Sequence, residues 1–313
     1  MGLELAYRPG ALDEVVGNES LVDSLSNVLN RPEKDRPKVY MFYGPAGCGK
    51  TTLARVVKET IGCKDFDYHE VDASSERGVK DIRSLKQKIQ YAPLSNGPRM
   101  ITFDECHGVT AIAQEAMLKM LEEPPDRCYF ALCTTEPQAL KNTLMRRCKK
   151  YEVKPLFPQE MRDFIAAILD AEEKEADPDL IERLVKISNG SPGEMLSYLD
   201  QVLEMEPKQA LDVLNKITMN VDVVRDIVNT LIDFNTIGKW AKLAPLLKKM
   251  SQDPEQARRY ILTTLSNRFL NSGGEVLANM TGLFAEPFYD SGKAGFILAC
   301  YYALLASGDT EPF

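Results

Sequence analysis

The 313-residue sequence lacks the features that mark membrane, secreted or zinc-binding proteins. No apolar run approaches the roughly 20 residues that a membrane-spanning helix needs. The N-terminal stretch MGLELAYRPG is too polar for a signal peptide. None of the seven cysteines forms a C-x-x-C pair, which disfavours a zinc site and favours buried, reduced thiols. These absences predict a protein of the cytoplasm, or of an infected host's cytoplasm, that does not associate with a membrane.

Charge is distributed unevenly along the chain, whose formal net charge is -8. Residues 1–155 contain 23 Lys and Arg against 22 Asp and Glu, whereas residues 156–313 contain 15 against 24. A net negative charge disfavours nonspecific coating of nucleic acid. Any nucleic-acid surface is therefore expected in the first half of the chain.

Short apolar segments alternate with amphipathic segments in that first half. The segments that predict strands are 38–44, 66–73, 99–105, 128–135 and, more weakly, 149–156. The helical patterns between and after them are at 50–61, 78–91, 111–122 and near 137–145. This alternation predicts an α/β fold with a parallel five-stranded sheet whose faces are covered by helices.

Strand patterns stop near residue 157, and the rest of the chain is predicted to be helical. Asp177 and Pro178 predict the start of one such helix, as its N-cap and its first-turn residue. We place domain boundaries near residues 156 and 207. The predicted domains are 1–156, a small helical domain at 157–207 and an all-helical domain at 208–313.

The segment GPAGCGKTT matches the phosphate-binding P-loop pattern in full. It follows a predicted strand and precedes a predicted helix, which is the context that the motif requires. Its glycines let backbone N–H groups surround phosphate oxygens beside the positive end of the helix. Lys50 is expected to reach the outer phosphates, and the Thr51 hydroxyl is expected to ligate Mg²⁺. The candidate nucleotide-binding residues here are Gly44, Pro45, Ala46, Gly47, Cys48, Gly49, Lys50, Thr51 and Thr52.

Two carboxylates end the predicted strand MITFDE. Asp104 is expected at the strand's tip, where it would hold Mg²⁺, and Glu105 would orient and deprotonate the attacking water. Two acidic residues after a strand are a weak signal alone, but two strands downstream of a complete P-loop they become specific. Together the two motifs predict ATP hydrolysis with Mg²⁺.

A series of segments in this chain resembles clamp-loader ATPase subunits of the AAA+ class, both the bacterial gamma/tau subunit and the small subunits of replication factor C. The segments run in family order over about residues 4–205 and include YRPGALDEVVGNE, EVDASSERGVKDIR, FDECH, LKMLEEPP, CTTEPQAL and MRRC. The resemblance implies an AAA+ module followed by a helical lid and a helical collar that joins subunits. It also implies three partners, namely a sliding clamp, primer-template DNA and other loader subunits in a hetero- or homo-oligomeric arc, typically of five.

The resemblance assigns candidate residues for the base and for the phosphates. Tyr7, Arg8 and Val16 fall where the family lines its adenine pocket, although core packing explains Val16 equally well. Thr134 and Thr135 fall at the first sensor, where a hydroxyl can hydrogen-bond the γ-phosphate or the attacking water.

In MRRC, Arg147 takes the position of the family's arginine finger, with Arg146 as the alternative. Such a residue acts on ATP held by a neighbouring subunit, so hydrolysis depends on assembly.

The segment NGSPGEML departs from the family pattern. Gly193 stands where active members typically have the second-sensor arginine. The Ser-Pro-Gly sequence resembles the delta-prime clamp-loader subunit, which often does not hydrolyse ATP. We favour an active ATPase with a weakened or relocated lid contact. The alternative is a non-hydrolysing scaffold subunit that binds ATP.

Arg77, Lys80 and Arg83 recur at three-residue spacing along one edge of a predicted helix. Cations beside a helix N-terminus suit sequence-independent contacts with a DNA backbone, although a solvated charged face is the alternative. The rival function is a related AAA+ ATPase that remodels DNA, of the replication-restart or Holliday-junction type. The segment LEEPPDRCYFALCTTEPQAL favours the clamp loader over this rival.

Overall fold

Five strands form at the segments that the sequence predicts. In this computed structural model they are β1 (Val39–Tyr43), β2 (Tyr68–Asp72), β3 (Arg99–Asp104), β4 (Cys128–Thr134) and β5 (Lys149–Glu152). They lie side by side in the order β2-β3-β4-β1-β5, and every neighbouring pair is parallel. The prediction of a parallel five-stranded α/β sheet is therefore confirmed.

The structure describes residues 2–73, 78–234, 238–250, 254–288 and 291–308. The helices that follow the N-terminus and the first three strands are α1 (Leu3–Ala6), α2 (Glu19–Leu29), α3 (Lys50–Thr60), α4 (Val79–Lys88) and α5 (Ala111–Glu122). After β4 come α6 (Asn142–Met145), α7 (Pro158–Ala171), α8 (Pro178–Ser188) and α9 (Pro192–Val202). The last five helices are α10 (Pro207–Leu231), α11 (Trp240–Lys249), α12 (Pro254–Ser272), α13 (Glu275–Leu283) and α14 (Gly292–Ala306).

Alternate residues of the strands bury against the two faces of the sheet, because successive side chains of a strand point in opposite directions. On β1, Met41 joins a core with residues of α4 and α5, whereas Tyr40 and Phe42 join a second core with residues of α2 and α3. Both faces are therefore covered, which explains why β1, β3 and β4 are buried almost throughout.

The ends of the helices follow the residues that the sequence marks. Asp177 accepts a hydrogen bond from the amide of Asp179 at the start of α8, with Pro178 in its first turn. Ser191 caps α9 in the same way, because its hydroxyl accepts a hydrogen bond from the amide of Glu194. The predicted start of the helix at Asp177 is confirmed.

The chain divides into two compact units, Met1–Ala210 and Leu211–Phe313. The second unit has its own core, which α10 to α14 build from residues such as Ile227, Leu243 and Phe296. The three predicted domains divide the chain more finely than this, and their boundaries stay predictions.

All seven cysteines are free thiols, and six of them are buried. Burial raises the pKa of the Cys106 and Cys133 thiols well above the ordinary value. The prediction of buried, reduced cysteines is confirmed. Over the described residues, none of the helices is long and apolar enough to cross a bilayer.

Candidate nucleotide-binding site

A cavity of about 530 Å³ lies over the loop between β1 and α3, within the size range of small-molecule sites. The order of the sheet places it there, because the carboxyl ends of the parallel strands β1, β3 and β4 meet at one edge. Predicted site residues that line it are Tyr7, Arg8, Val16, Ala46, Gly47, Cys48, Gly49, Lys50, Thr51, Thr52, Asp104 and Glu105.

The loop has the curled backbone that a phosphate cradle needs. Gly47 and Gly49 both have left-handed φ angles, of 70° and 93°, and Gly49 is the N-cap of α3. A Cβ at Gly47 would overlap the hydroxyl of Ser191. Gly47 is therefore required both by its backbone angle and by the close approach of another segment.

Lys50 is buried beneath this loop, with 6% of its surface exposed. Its ammonium donates hydrogen bonds to the carbonyl oxygens of Gly44 (3.1 Å) and Pro45 (2.8 Å). A buried ammonium needs such partners, and the loop itself supplies them. Gly44 and Pro45 are thus partners of Lys50 within the loop, and neither lines the cavity.

The structure brings together the two residues predicted to hold a metal ion. The Thr51 hydroxyl donates a hydrogen bond to Asp104 Oδ2 (2.9 Å), and Asp104 Oδ1 accepts one from the amide of Glu105 (3.0 Å). Hydroxyl and carboxylate oxygens are the ligands that Mg²⁺ prefers. The donor set therefore fits that ion in the presence of phosphates.

Glu105 follows β3 with a left-handed φ of 46°, an uncommon angle for a residue other than glycine. Its Oε2 is buried and lies 3.2 Å from Nδ1 of His107, without the alignment of a hydrogen bond. The same Nδ1 lies 3.2 Å from the hydroxyl of Thr134. His107 therefore stands between the predicted general base and the predicted first sensor. No sequence pattern predicted a role for His107, although it lies in the FDECH segment.

Thr134 and Thr135 are outside the cavity lining. Thr134 ends β4 beside the P-loop strand but is fully buried, and its hydroxyl accepts a hydrogen bond from the amide of Glu136 (3.0 Å). Thr135 is partly exposed. The cavity and Thr134 are connected through His107 and Glu105.

The start of α9, which falls at the family's second-sensor region, forms one wall of the cavity, although none of its residues was predicted to bind nucleotide. The amide of Gly193 donates a hydrogen bond to the carbonyl of Gly47 (3.2 Å). Other cavity-lining residues from α7 and α9 that were missed are Phe164, Pro192, Glu194, Leu196 and Ser197. The Ser191-x-x-Glu194 pattern predicts where this helix starts along the chain. It does not predict that the helix packs against the P-loop.

Tyr7 and Arg8 lie in the wall formed by the N-terminal segment. The Tyr7 hydroxyl donates a hydrogen bond to Glu172 Oε1 (2.6 Å), just beyond the end of α7. This bond to a carboxylate raises the pKa of Tyr7, with smaller contributions from desolvation and from the charge of Glu172. The contact ties the N-terminal wall to the helical segment after the sheet.

Arg147 lies outside the cavity and is bound within its own chain. One of its terminal nitrogens donates a hydrogen bond to Glu122 Oε1 (2.9 Å), and both side chains are about half exposed. Arg146 is also exposed. Both arginines are therefore on the surface.

Lys80 and Arg83 are exposed on α4, whose first turn begins with a hydrogen bond from the amide of Gly78 to Asp81 Oδ2 (3.1 Å). The third predicted DNA-binding residue, Arg77, lies outside the described residues. The spacing of Lys80 and Arg83 places both cations on one side of the helix.

Residues 67–157 match the model of the family described as DNA polymerase III, delta subunit. The chain is 34% identical over 226 residues to the DNA polymerase III subunit gamma/tau of Mycobacterium tuberculosis (strain H37Rv), a match that spans 65% of the chain and 39% of that protein. It is 31% identical over 218 residues to the DNA polymerase III subunit tau of Bacillus subtilis (strain 168), over 63% of the chain and 38% of the relative. The chain thus spans less than two fifths of the length of these curated relatives.

Among solved structures, the chain resembles the Thermotoga maritima RuvB Holliday junction branch migration motor. The TM-score is 0.59 with 20% identity, over 72% of this chain and 80% of that one. A likeness at this identity shows the fold alone. The resemblance to clamp-loader subunits is confirmed: this chain has a RuvB-like fold and is similar in sequence to the gamma/tau subunits of DNA polymerase III.

Proposed function

We propose that this chain is an ATPase subunit of a DNA sliding-clamp loader, which uses ATP binding and hydrolysis to open a clamp and load it on primer-template DNA. The observation that carries the proposal is the meeting of Lys50, the Thr51–Asp104 pair and Glu105 at one cavity. The similarity to gamma/tau subunits supports the choice of partners.

The P-loop would hold the triphosphate through its backbone amides and the N-terminus of α3. Lys50 would exchange its bonds with the Gly44 and Pro45 carbonyls for phosphate oxygens. Thr51 and Asp104 would hold Mg²⁺, which when bound neutralises charge on the phosphates. Each of these three residues already lines the cavity.

Hydrolysis would begin when water attacks the γ-phosphorus of ATP while Glu105 accepts a proton from that water. The bond between the γ-phosphorus and the bridging oxygen breaks, and its electron pair stays on ADP. The products are ADP and inorganic phosphate. Glu105 lines the cavity with a partly exposed side chain, which suits this role.

Arg147 would act on ATP bound by a neighbouring subunit. Its guanidinium would leave Glu122 and neutralise charge at the transferring phosphate. Because the Arg147–Glu122 pair is solvent-exposed, breaking it costs only about 0–1 kcal/mol. Assembly would in this way complete the active site.

The parts of the chain outside the cavity would supply the remaining functions. Helices α7 to α9 would act as the lid, and the second unit would act as a collar that joins the subunits of a pentameric arc. Lys80 and Arg83 on α4, with Arg77, would contact the DNA backbone without reading its sequence.

The function is tested by measuring ATP turnover of the wild-type chain and of Glu105→Gln, each alone, with primed DNA, and with primed DNA plus a sliding clamp. We expect wild-type turnover to rise with clamp and primed DNA. Glu105→Gln should bind nucleotide normally and lose turnover by about a hundredfold or more. Glu123→Gln is the matched control, because that residue is an exposed glutamate outside the cavity lining.

Nucleotide binding without turnover in both wild type and Glu105→Gln would show a scaffold that binds ATP without hydrolysing it. Turnover that rises with Holliday-junction DNA, and not with clamp plus primed DNA, would favour the DNA-remodelling alternative. Either result would overturn the proposed function.

A further inference from the structure

We infer that His107 is a positioning residue for Glu105, and that it links the end of β4 to the base that activates water. This inference rests on the proposed function, because it assigns a role in the same hydrolysis reaction. It concerns a residue that neither the P-loop nor the acidic pair includes.

The contact geometry places a single ring nitrogen between two groups. His107 lies in the short turn Cys106–Gly108 that directly follows Glu105. Its Nδ1 is 3.2 Å from Glu105 Oε2 and 3.2 Å from the Thr134 hydroxyl oxygen. Thr134 is 27 residues further along the chain, so the arrangement is tertiary and is not a property of the turn alone.

The charge of Glu105 decides which atom carries the hydrogen. An unprotonated Nδ1 would direct its lone pair at a carboxylate oxygen, which is repulsive, so Nδ1 carries a hydrogen. The Thr134 oxygen already accepts the amide hydrogen of Glu136, and it can share the Nδ1 hydrogen as a second acceptor. The ring is therefore a donor to Thr134 whose Nδ1 also lies close to the carboxylate.

This contact holds one oxygen of Glu105 and leaves the other available. Oε2 is buried and, among the described residues, makes no aligned hydrogen bond, and Nδ1 of His107 lies 3.2 Å from it. The side chain as a whole is 42% exposed and lines the cavity, so Oε1 is the oxygen that can meet a water there. The close contact of His107 with Oε2 would limit the rotation of the carboxylate and direct Oε1, which is how positioning accelerates proton transfer.

The metal-binding pair does not depend on this contact. Asp104 is held by the Thr51 hydroxyl and by the amide of Glu105. Loss of the His107 side chain should therefore change the rate of the chemical step and leave nucleotide and Mg²⁺ binding intact. The geometry therefore predicts a lower kcat with an unchanged KM for ATP.

Three substitutions of His107 separate a positioning role from a structural one. His107→Asn keeps an N–H donor near the location of Nδ1, His107→Gln moves the donor to the location of Nε2, and His107→Leu removes it. Because a general base contributes about 10²–10⁴-fold, we expect His107→Leu to lower kcat for ATP by about ten- to a hundredfold. His107→Asn should recover most of that loss and His107→Gln should not, while KM for ATP stays within about twofold in all three.

The measurement is steady-state ATP turnover of the full chain under the conditions in which wild type is most active, with thermal unfolding of each variant alongside. A second arm adds His107→Leu to Glu105→Gln. If His107 acts through Glu105, the substitution has no further effect on the residual rate of Glu105→Gln, because the two residues work as a unit.

The results distinguish failure of the proposed function from failure of the positioning role of His107. A wild-type chain without ATP turnover contradicts the proposed function itself. A wild-type chain that is active, with a His107→Leu variant that is equally active or faster, overturns the positioning role. Equal loss in His107→Asn and His107→Gln, or a full further loss on the Glu105→Gln background, also overturns it.

Discussion

Gly47 and Gly193 shape the cavity through their backbones. Gly47 has a left-handed backbone angle, and its carbonyl accepts a hydrogen bond from the amide of Gly193. A Cβ at Gly193 would lie 3.4 Å from that same carbonyl oxygen. Because this is an ordinary contact distance, the space at Gly193 does not by itself require glycine, and the hydrogen bond to Gly47 is made by the backbone.

Gly47→Ala tests the close approach at the level of one residue. The new Cβ would overlap Ser191 Oγ and would also strain the backbone, so either the Ser191 side chain rotates and loses its cap or α9 shifts away from the loop. We expect the free energy of unfolding to fall by about 3 kcal/mol, from overlap added to a left-handed alanine, and nucleotide affinity to fall with it. Urea unfolding and fluorescent-nucleotide titration measure the two effects.

The matched control is Gly62→Ala, because Gly62 has a similar φ of 77° but nothing within 4 Å of the new Cβ. It should cost only the backbone strain, about 1–2 kcal/mol, and leave nucleotide affinity unchanged. Equal affinities of the two variants would contradict a contact between α9 and the P-loop in solution.

The start of α12 is attached to the segment after α13 by a buried ion pair. Glu255 accepts hydrogen bonds from Arg258 and from the amide of Phe288, and Arg258 also donates to the carbonyl of Phe284 (2.7 Å). Both charged side chains are less than 10% exposed. The hydrogen bond from Arg258 is the largest cause that lowers the pKa of Glu255, to about 2, with burial acting in the opposite direction. Two helical elements of the second unit thus depend on one charge pair.

Glu255→Gln should lower the free energy of unfolding of the second unit by about 3 kcal/mol at pH 7, because it leaves Arg258 buried without its counter-charge. The depressed pKa means that the stabilisation is present above about pH 4.5 and is lost as the pH falls towards about 2. The difference between wild type and variant should therefore shrink across that range. Fluorescence of Trp240, the single tryptophan, follows urea unfolding of this unit.

Glu286→Gln, an exposed glutamate in the same unit, should have little effect at any pH. A pH-independent difference between wild type and Glu255→Gln would show that the charge of Glu255 does not stabilise the unit.

For the whole assembly, the proposed function makes hydrolysis depend on a neighbouring subunit. Arg147→Ala should lower the assembly-dependent ATP turnover on the order of a thousandfold, because a cation supplied at the transferring phosphate contributes at least that much in related reactions. Turnover is measured in the complex with clamp and primed DNA, and native mass spectrometry confirms that the complex still forms.

Arg146→Ala is the control at the adjacent exposed arginine and should retain turnover. The opposite pattern, with loss on Arg146→Ala alone, would assign the finger to Arg146. Normal turnover in both variants would contradict hydrolysis in trans.

The sequence by itself determined the five strands and the location of the P-loop, because both depend on local patterns. Apolar strand segments must be buried, and a contiguous glycine-rich loop between strand and helix has few alternatives. Asp104 and Glu105 could be placed at the same edge for a related reason, since the carboxyl ends of parallel strands converge. The family segments reinforced these predictions without adding geometry.

Only the tertiary structure decided which residues from distant segments meet at that edge. The amide of Gly193 donates a hydrogen bond to the carbonyl of Gly47, and Nδ1 of His107 lies between Glu105 and Thr134. No local sequence pattern connects the residues of either contact. Such contacts depend on the order of the strands and on how helices pack, which a one-dimensional pattern does not encode. The P-loop can therefore be predicted from adjacent residues. The walls of the cavity and the position of Glu105 depend on how distant segments pack.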